Sequence, residues 1–196
     1  PHFLYNTLDS IIWMAEGRKY EEVVLMTASL ARLLRQSISN EDEVVPLARE
    51  VEYAKGYLTI QKMRYKDKLE FEIDVEPSIL NIPLIKLVLQ PIIENAIYHG
   101  LKYKESKGLL QVKGFMKDGN AVLQVIDNGV GMDEETLSHI YDKHKVNYHS
   151  NGVGVYNVQK RLKLYYGENY GITYESEKGV GTTATITIPG IQEESI

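Results

Sequence analysis

The first third of the chain carries apolar residues at the three- and four-residue spacing of amphipathic helices. This spacing predicts helices over 3–15, 20–36 and 46–65, with proline at the first turn of the last one, where it is well tolerated. The apolar positions that define the three faces are Leu4, Leu8, Ile11, Ile12 and Ala15; Val24, Leu25, Ala28, Ala31 and Leu34; and Leu47, Val51, Ala54 and Leu58. Because successive helical residues turn by about 100°, His2 is expected to point away from the first of these stripes.

After Asp67 the apolar spacing changes to the two-residue period of strands. Leu69–Val75 alternates apolar and acidic residues, which predicts a half-buried strand. Four further strands are predicted in two hairpins with glycine-containing turns: 110–116 with 121–126, and 172–176 with 183–188.

Helices are predicted between these strands. Pro83 opens a nearly continuous apolar run, which predicts a helix over 84–99 that Pro91 kinks or restarts. Another helix begins near Asp133, and a last one spans 155–166. The polar stretch 142–152 has no strong period, which suits either a mobile lid or a disordered loop.

The change of period divides the chain into three parts. We expect an all-helical part, 1–67, a mixed α/β part, 68–190, and a short tail, 191–196. The predicted fold class is therefore α+β, with a helical segment followed by an α/β layer structure.

Composition supports a folded chain and narrows its chemistry. Of the 196 residues, 43% are apolar and 25% are charged, which is the usual balance of a globular domain. The chain has no cysteine, so disulfides, zinc–thiolate sites, iron–sulfur clusters and thiol nucleophiles are excluded. The net charge of −5 argues against nucleic acid as a partner. No apolar run reaches the ~20 residues needed to cross a bilayer, and the start at Pro1 is expected of a fragment.

The apolar run near Pro91 contains polar residues that need partners. Glu94 and Asn95 interrupt it, and Asn95 shares a helical face with His99 four residues later. Burying such groups is costly unless hydrogen bonds or a ligand satisfy them. A metal or nucleotide would do so, and an internally hydrogen-bonded core asparagine is the alternative.

Three glycine-containing segments follow in the α/β part. Asp127-Asn128-Gly129-Val130-Gly131 comes directly after a strand, where an aspartate can accept a hydrogen bond from an exocyclic amine while glycines admit a flat ring. Asn151-Gly152-Val153-Gly154 precedes a helix, whose first amide groups suit a phosphate. Gly179-Val180-Gly181-Thr182-Thr183 precedes the last strand. Taken singly, the three segments also suit an Asx turn, a plain helix start and a tight hairpin.

In this order, the four segments resemble the N box and the three glycine boxes of the ATP-binding domain shared by histidine kinases, gyrase, Hsp90 and MutL. The resemblance covers about 68–190. It implies a layered α/β sandwich of the GHKL ATPase fold, with a mixed sheet on one side, helices on the other, and ATP between the helices and the lid.

The resemblance also implies roles for single residues. Asn95 would bind the Mg²⁺ that bridges the ATP phosphates, and Asp127 would receive the adenine amino group. Gly129 and Gly131 would let the base pack against the backbone. Further residues implied to contact the nucleotide or to shape its site are His99, Gly152, Gly154, Arg161, Thr182 and Thr183. Lys143, His144 and Lys145 in the lid are expected to be solvated.

The helical part points to one branch of this group. Pro1-His2-Phe3-Leu4-Tyr5-Asn6-Thr7-Leu8 closely resembles the phosphoacceptor motif of the LytS/YesM-like sensor histidine kinases, and 90–96 and 153–162 are similar to the same group. The resemblance implies autophosphorylation of His2 by ATP, then transfer to an aspartate of a response-regulator receiver domain. Phe3 stands where the commonest histidine kinases have an acidic residue, so Glu94 is the candidate base or orienting group.

Membership of this group carries expectations about partners and location. The helical segment is expected to dimerise by burying the Leu4/Leu8/Ile11 and Leu47/Val51/Leu58 stripes between two copies. Because the chain starts one residue before His2, this dimer is expected to be weakened in the fragment. The parent is expected to be a bacterial protein anchored in the plasma membrane through segments upstream of Pro1, with this part in the cytoplasm.

Two other functions remain open. An ATPase of the gyrase or Hsp90 kind would use Glu94 to activate water and leave His2 without a role. A non-catalytic nucleotide-binding signalling module would transmit only a conformational change, and the presence of Asn95, Asp127 and Gly129 counts against such degeneration.

Overall fold

The computed structural model describes residues 2–38, 43–140 and 152–190. Three of its helices confirm the predictions for the first third of the chain: α1 (His2–Glu16), α2 (Tyr20–Ile38) and α3 (Leu47–Tyr65). Pro46 is not in the first turn of α3. It ends a short strand, β1 (Val44–Pro46), that the sequence pattern does not predict.

A mixed sheet follows α3 and confirms the predicted strands. Its members in chain order are β2 (Leu69–Val75), β4 (Gly108–Lys117), β5 (Asn120–Asp127), β6 (Gly171–Glu177) and β7 (Gly181–Pro189). Within the described residues the sheet has five strands in the order β2-β4-β5-β7-β6. The pair β2–β4 is parallel and the other pairs are antiparallel. The β5–β7 register sets Asp127 opposite Thr182.

The single helix predicted over 84–99 is wrong. Pro83–Ile85 forms a strand, β3, that pairs antiparallel with β1. Helix α4 (Leu89–Asn95) begins only after this strand, and Ala96–Leu101 continues it as a π-helix. Pro91 therefore lies in the first turn of α4 and does not kink a longer helix. An apolar run fits a buried strand as well as a buried helix, so periodicity alone could not separate the two.

Two further helices lie where the sequence pattern places them. Helix α5 (Glu134–Ser138) is capped by Asp133, whose Oδ1 accepts a hydrogen bond of 3.0 Å from the backbone N–H of Thr136. Helix α6 spans Gly152–Tyr166. The predicted lid, including Lys143, His144 and Lys145, lies outside the described residues except for Gly152, which begins α6.

One apolar core joins the helices to a single face of the sheet, which confirms the α+β layer structure. The core contains Leu58 of α3, Ile93 of α4 and Leu162 of α6, each with 0% exposure, against Leu123 and Ile186 of the sheet. No helix within the described ranges is long and apolar enough to span a membrane.

The internal packing of the first three helices differs from the predicted stripes. On α1, Thr7 and Met14 are buried, whereas Leu8 of the predicted stripe is 42% exposed. Leu47 and Leu58 of α3, which were expected to pack against a second copy, are fully buried in the chain's own core, so that expectation is wrong. Other apolar residues left exposed on α1 and α2 are Tyr5, Ile12, Trp13, Tyr20, Val24 and Leu25. Helices α1 and α2 have apolar residues on two faces, and the sequence pattern alone does not indicate which face packs against the rest of the chain.

The different positions of Leu58 and Leu8 predict different losses of stability. Leu58→Ala is expected to lower the free energy of unfolding by about 2–5 kcal/mol, because it leaves a cavity in a close-packed core. Leu8→Ala should change it by no more than about 0.5 kcal/mol when the chain is dilute enough to be monomeric. Denaturant unfolding measures both values, and equal losses would contradict the assignment of Leu58 to the core.

Candidate functional site

A cavity of about 560 Å³ lies between the helical layer and the sheet. This volume is typical of small-molecule sites. Apolar residues form part of its lining: Ile92, Ala96, Val125, Met132, Ile140 and Ala184. Polar side chains from separate elements complete it: Asn95, His99, Asp127, Glu135, Thr136, His139, Tyr174 and Thr182. The cavity therefore brings together Asn95, Asp127 and Thr182, which lie far apart in the sequence.

Asp127 supplies a buried carboxylate at the end of β5. Its residue exposure is 6%, and its Oδ1 accepts a hydrogen bond of 2.8 Å from the backbone N–H of Gly129. Burial raises the pKa of Asp127 to about 6, although backbone hydrogen bonds from Gly129 and Thr182 act in the opposite direction. Asp127 is thus mostly ionised at pH 7 and is held in one orientation at the cavity wall.

The backbone of two glycines packs closely around the Asp127 carboxylate. A Cβ at Gly100 would lie 2.7 Å from Asp127 Oδ1, and a Cβ at Gly129 would lie 2.4 Å from the Gly100 carbonyl carbon. Both distances are shorter than real Cβ atoms show. The helix after α4 can therefore reach the end of β5 only because both positions lack a side chain.

Two more glycines pack tightly near the end of β5, and of these Gly131 lines the cavity whereas Gly181 lines a neighbouring depression. Gly131 has a φ of +63°, and a Cβ there would lie 1.9 Å from the Glu177 carbonyl oxygen. A Cβ at Gly181 would lie 2.0 Å from the Asp127 carbonyl oxygen. The sequence pattern points to Gly131 as a site residue but not to Gly100 or Gly181. Their positions directly after His99 and within the last glycine segment were the available signals.

The two adjacent threonines of β7 have different positions. Thr182 lines the cavity and lies opposite Asp127, and its hydroxyl is 2.8 Å from Ser176 Oγ. Thr183 lines a second depression of about 470 Å³, which shares Asp127 and Thr182 with the main cavity. Successive strand residues face opposite sides of a sheet, so only Thr182 of this pair reaches the main cavity.

Asn95 is the last residue of α4, and His99 follows it in the π-helix. The Asn95 Oδ1 atom is buried and has no hydrogen-bond partner within the described part of the chain. Burial, and after it the nearby charge of Lys102, lowers the pKa of His99, so that its imidazole is neutral at pH 7. The cavity thus contains an orphaned amide oxygen beside an uncharged imidazole.

The Asn95 oxygen fits the resemblance's expectation of Mg²⁺. Mg²⁺ prefers oxygen ligands, keeps several waters and is commonly held by one or two protein groups together with substrate phosphates. The described residues contain no group of three His, Cys, Asp or Glu side chains that could hold a metal by themselves. An ion at Asn95 would therefore depend on water and phosphate oxygens for its remaining ligands.

The described cavity lining does not include five of the predicted site residues: Glu94, Gly129, Gly154, Arg161 and Thr183. Glu94 accepts a hydrogen bond of 3.0 Å from Gln90 Nε2, and burial raises its pKa. The charge of Arg161 acts on Glu50 of α3. At Gly154 an added Cβ would lie 3.3 Å from Pro91 Cβ, so the start of α6 packs against the start of α4. The side chain of His2 lies outside the described part of the structure.

Comparisons with known families agree with this fold. Residues 1–69 match the family model described as histidine kinase. Residues 81–192 match the model described as histidine kinase-, DNA gyrase B- and HSP90-like ATPase. The solved catalytic domain of histidine kinase ThkA superposes with a TM-score of 0.57 at 16% identity, over 76% of this chain and 99% of that one. The histidine kinase domain from the blue-light activated kinase of Erythrobacter litoralis gives 0.55 at 16%, over 86% of this chain and 72% of that domain.

Sequence relatives specify the branch. The chain is 35% identical to sensor histidine kinase YesM of Bacillus subtilis over 96% of its own length, and 32% identical to sensor protein LytS of Oceanobacillus iheyensis over 86%. It spans 31% and 29% of those two proteins. The chain belongs to the sensor histidine kinase family, in the group that resembles LytS and YesM.

The elevated pKa of Asp127 predicts that adenine binding weakens in acid. By the resemblance, the ionised carboxylate is expected to accept a hydrogen bond from the adenine amino group, and protonation as the pH falls through about 6 removes the charge that strengthens this bond. Adenosine should therefore bind about tenfold more weakly at pH 5 than at pH 8, since each pH unit below the pKa lowers the ionised fraction about tenfold. Adenosine has no phosphate that a change in His99 charge could affect.

An NMR titration with adenosine at several pH values measures this effect. Asp127→Asn provides the control, because it removes the titrating group and should leave a low affinity that hardly changes with pH. The same pH dependence in wild type and Asp127→Asn would refute the assignment to Asp127.

The glycine contacts predict that replacing glycine by alanine has different effects at Gly129 and Gly56: nucleotide binding is lost at the first, and the fold is stabilised at the second. Gly129→Ala should abolish measurable nucleotide binding, because its Cβ would collide with the Gly100 backbone. Gly56→Ala in α3 meets only Leu33 Cδ2 at 3.6 Å, an ordinary contact, and should stabilise the fold by about 0.5–1 kcal/mol. Calorimetric titration with ADP and thermal unfolding test the pair. Retained binding in Gly129→Ala would contradict the close approach.

Proposed function

We propose that this chain is the catalytic portion of a sensor histidine kinase, which phosphorylates His2 from ATP and passes the phosphoryl group to an aspartate of a receiver domain. The observation that carries this proposal is the shared cavity of Asn95 and Asp127. Its lining includes a buried amide oxygen that has no hydrogen-bond partner among the described residues, together with a buried carboxylate. These groups suit the cation-bound phosphates and the base of one nucleotide.

In this proposal Asp127 and the surrounding glycines bind the adenine. The carboxylate accepts the exocyclic amine, and the backbone of Gly129 and Gly131 gives the flat ring a close wall. Asn95 holds Mg²⁺, which neutralises charge on the phosphates when it is bound. His99, Gly152, Gly154 and Arg161 are proposed as further phosphate contacts, and Thr182 as part of the adenine pocket. Thr183 has a weaker basis, because it lines the second depression and is not among the described lining of the main cavity.

The position of α1 supports His2 as the acceptor. The ring of Phe3, next to His2, lies 5.0 Å from the ring of Tyr57 in α3, measured between centroids. Burial, and after it the nearby charge of Glu94, raises the pKa of the Tyr57 phenol. Tyr57 of α3 thus contacts the first turn of α1 and also lies within electrostatic range of Glu94 in α4. This arrangement favours Glu94 as the group that orients the acceptor imidazole or takes its proton.

The chemical step uses the ordinary properties of histidine. A neutral imidazole, with a reference pKa near 6.5, is mostly available as a nucleophile at pH 7. One ring nitrogen forms a bond to the γ-phosphorus as the bond to the ADP oxygen breaks, and Glu94 is the proposed acceptor of the proton on the other ring nitrogen. Phosphoryl transfer depends mainly on alignment and charge neutralisation, so binding and orientation are the main tasks of the residues named above.

The exposed apolar side chains of α1 and α2 support a homodimer in the parent protein. Leu8, Ile12, Val24 and Leu25 are each more than 40% exposed, and such a surface is typical of an interface. The receiver domain of a response regulator is proposed as the second partner. By the same resemblance, the parent is proposed to be a bacterial plasma-membrane protein with this portion in the cytoplasm.

Incubation with γ-labelled ATP and Mg²⁺ tests the proposed reaction, using this chain and a longer form that extends upstream of Pro1. Wild type should acquire acid-labile, alkali-stable label, while His2→Gln and Asn95→Ala should lose it because they remove the acceptor and the cation ligand. Glu94→Gln should slow labelling at least tenfold if Glu94 takes or orients the proton.

Parallel measurement of free phosphate separates the alternatives. Phosphate release that survives His2→Gln, without label on either form, would indicate an ATPase instead. Nucleotide binding without label or phosphate release would indicate a non-catalytic module. Labelling of Glu94→Gln at the wild-type rate would remove the role of Glu94 alone.

A further inference from the structure

Glu50 of α3 is a buried carboxylate that lies outside the nucleotide cavity. Its exposure is 1%. One oxygen accepts a hydrogen bond of 2.8 Å from the backbone N–H of Leu87, and the other accepts bonds of 2.9 Å and 3.1 Å from Val88 and Leu89. Three consecutive backbone N–H groups thus donate to one side chain that is distant in sequence.

These three donors belong to the start of α4, the helix that ends at Asn95. The first turn of a helix leaves backbone N–H groups without partners in the helix. Val88, at the N-cap position, makes no capping hydrogen bond with its own side chain. Glu50 performs this function from another helix, and its negative charge suits the positive end of the helix dipole.

The backbone before α4 also depends on an external restraint. Leu87 has a φ of +60°, in the left-handed region that a branched apolar residue seldom adopts. Its side chain is 44% exposed, so core packing accounts for little of this conformation. The hydrogen bond from the Leu87 N–H to Glu50 holds the strained residue in place and determines where α4 begins.

The start of α4 and Asn95 are close enough to move together. Six residues of helix separate Leu89 from Asn95, or about 9 Å at 1.5 Å per residue. A shift or tilt at the start of such a short helix changes the position of its last residue. Asp127 belongs to β5 and is held by Gly129 and Thr182, none of which contacts Glu50.

We propose that Glu50 is a positioning residue for the phosphate half of the site: by fixing the start of α4 to α3, it places Asn95 at the right distance from Asp127. This role rests on the proposed function, since it assumes that Asn95 holds the cation that bridges the phosphates. Through Glu50, α3 thereby contributes to cation-dependent nucleotide binding by positioning α4.

A merely structural role would have a different signature. General loosening of the core would weaken the adenine half and the phosphate half together. Displacement at the start of α4 would leave adenine binding largely intact, because Asp127, Gly129 and Gly131 lie on the sheet side of the cavity. Gly100 lies at the far end of the π-helix, where it is packed against Asp127 and Gly129. Comparison of a ligand without phosphates with a Mg²⁺-dependent ligand therefore separates the two roles.

The experiment compares Glu50→Gln with Glu52→Gln in the full chain. Glutamine keeps the shape of Glu50 but offers an N–H group to one of the three backbone donors, so that one hydrogen bond is lost. Glu52 provides the matched control on the same helix, because its side chain is 42% exposed and pairs only with Arg32 and Arg49 at the surface within the described residues. The ligands are adenosine and ADP, the latter over a series of Mg²⁺ concentrations.

In Glu50→Gln, we expect adenosine affinity within about twofold of wild type and at least a tenfold loss of Mg²⁺–ADP affinity, the effect typical of changing a group that orients a metal ligand. Glu52→Gln should match wild type for both ligands. Unchanged Mg²⁺–ADP affinity in Glu50→Gln, or equal losses for the two ligands, would overturn the positioning role.

A second variant covers the possibility that Glu50→Gln does not fold. Glu50→Asp keeps the charge but shortens the side chain by one methylene, so α4 must shift to keep its hydrogen bonds. It should show the same selective loss to a smaller degree, and equal effects on both ligands would overturn the proposal. A wild-type ADP affinity that does not depend on Mg²⁺ would instead refute the cation role of Asn95, and with it the proposed function.

Discussion

The close packing of backbone around the buried Asp127 carboxylate sets the geometry of the site. Gly100 and Gly129 meet at this carboxylate, which joins the helical layer to the end of β5 at one point. The π-helix that carries Gly100 also carries His99 and follows Asn95 directly. The contact at Gly100 therefore determines that Asn95 and His99 lie near the end of β5. π-Helical turns often occur at functional sites, and here the turn allows this approach.

Helix α3 connects α1 with the start of α4. Tyr57 contacts the first turn of α1, and Glu50 holds the start of α4. The two residues are seven positions apart, so they lie on nearly the same face of α3 at about 10 Å along its axis. Helix α2 packs on α3, which in turn packs on α4 and β2. In the proposed function, α3 is therefore both a member of the core and the support against which acceptor and nucleotide are aligned.

Local sequence patterns predicted the strands and most helices because each of these elements buries one regular face. Asp127 was predicted at the cavity because it ends a strand and precedes glycines, a purely local signal. The helix over 84–99 was wrong because β3 exists through its pairing with β1, nearly 40 positions earlier. Gly100 is important through its distance to Asp127, and Glu50 through its bonds to Leu87, Val88 and Leu89. Both depend on tertiary contacts that no short-range pattern records.

The four glycines around Asp127 also limit how this site can change during evolution. An enzyme commonly escapes a competitive inhibitor by enlarging a side chain against it. At Gly100, Gly129, Gly131 and Gly181 an added Cβ would lie within 2.7 Å of an atom of the protein itself. A larger side chain therefore cannot be introduced at these four positions without disrupting the fold. A flat compound that made its contacts with this backbone would leave resistance to arise only at more distant positions, such as Met132 or Ile140.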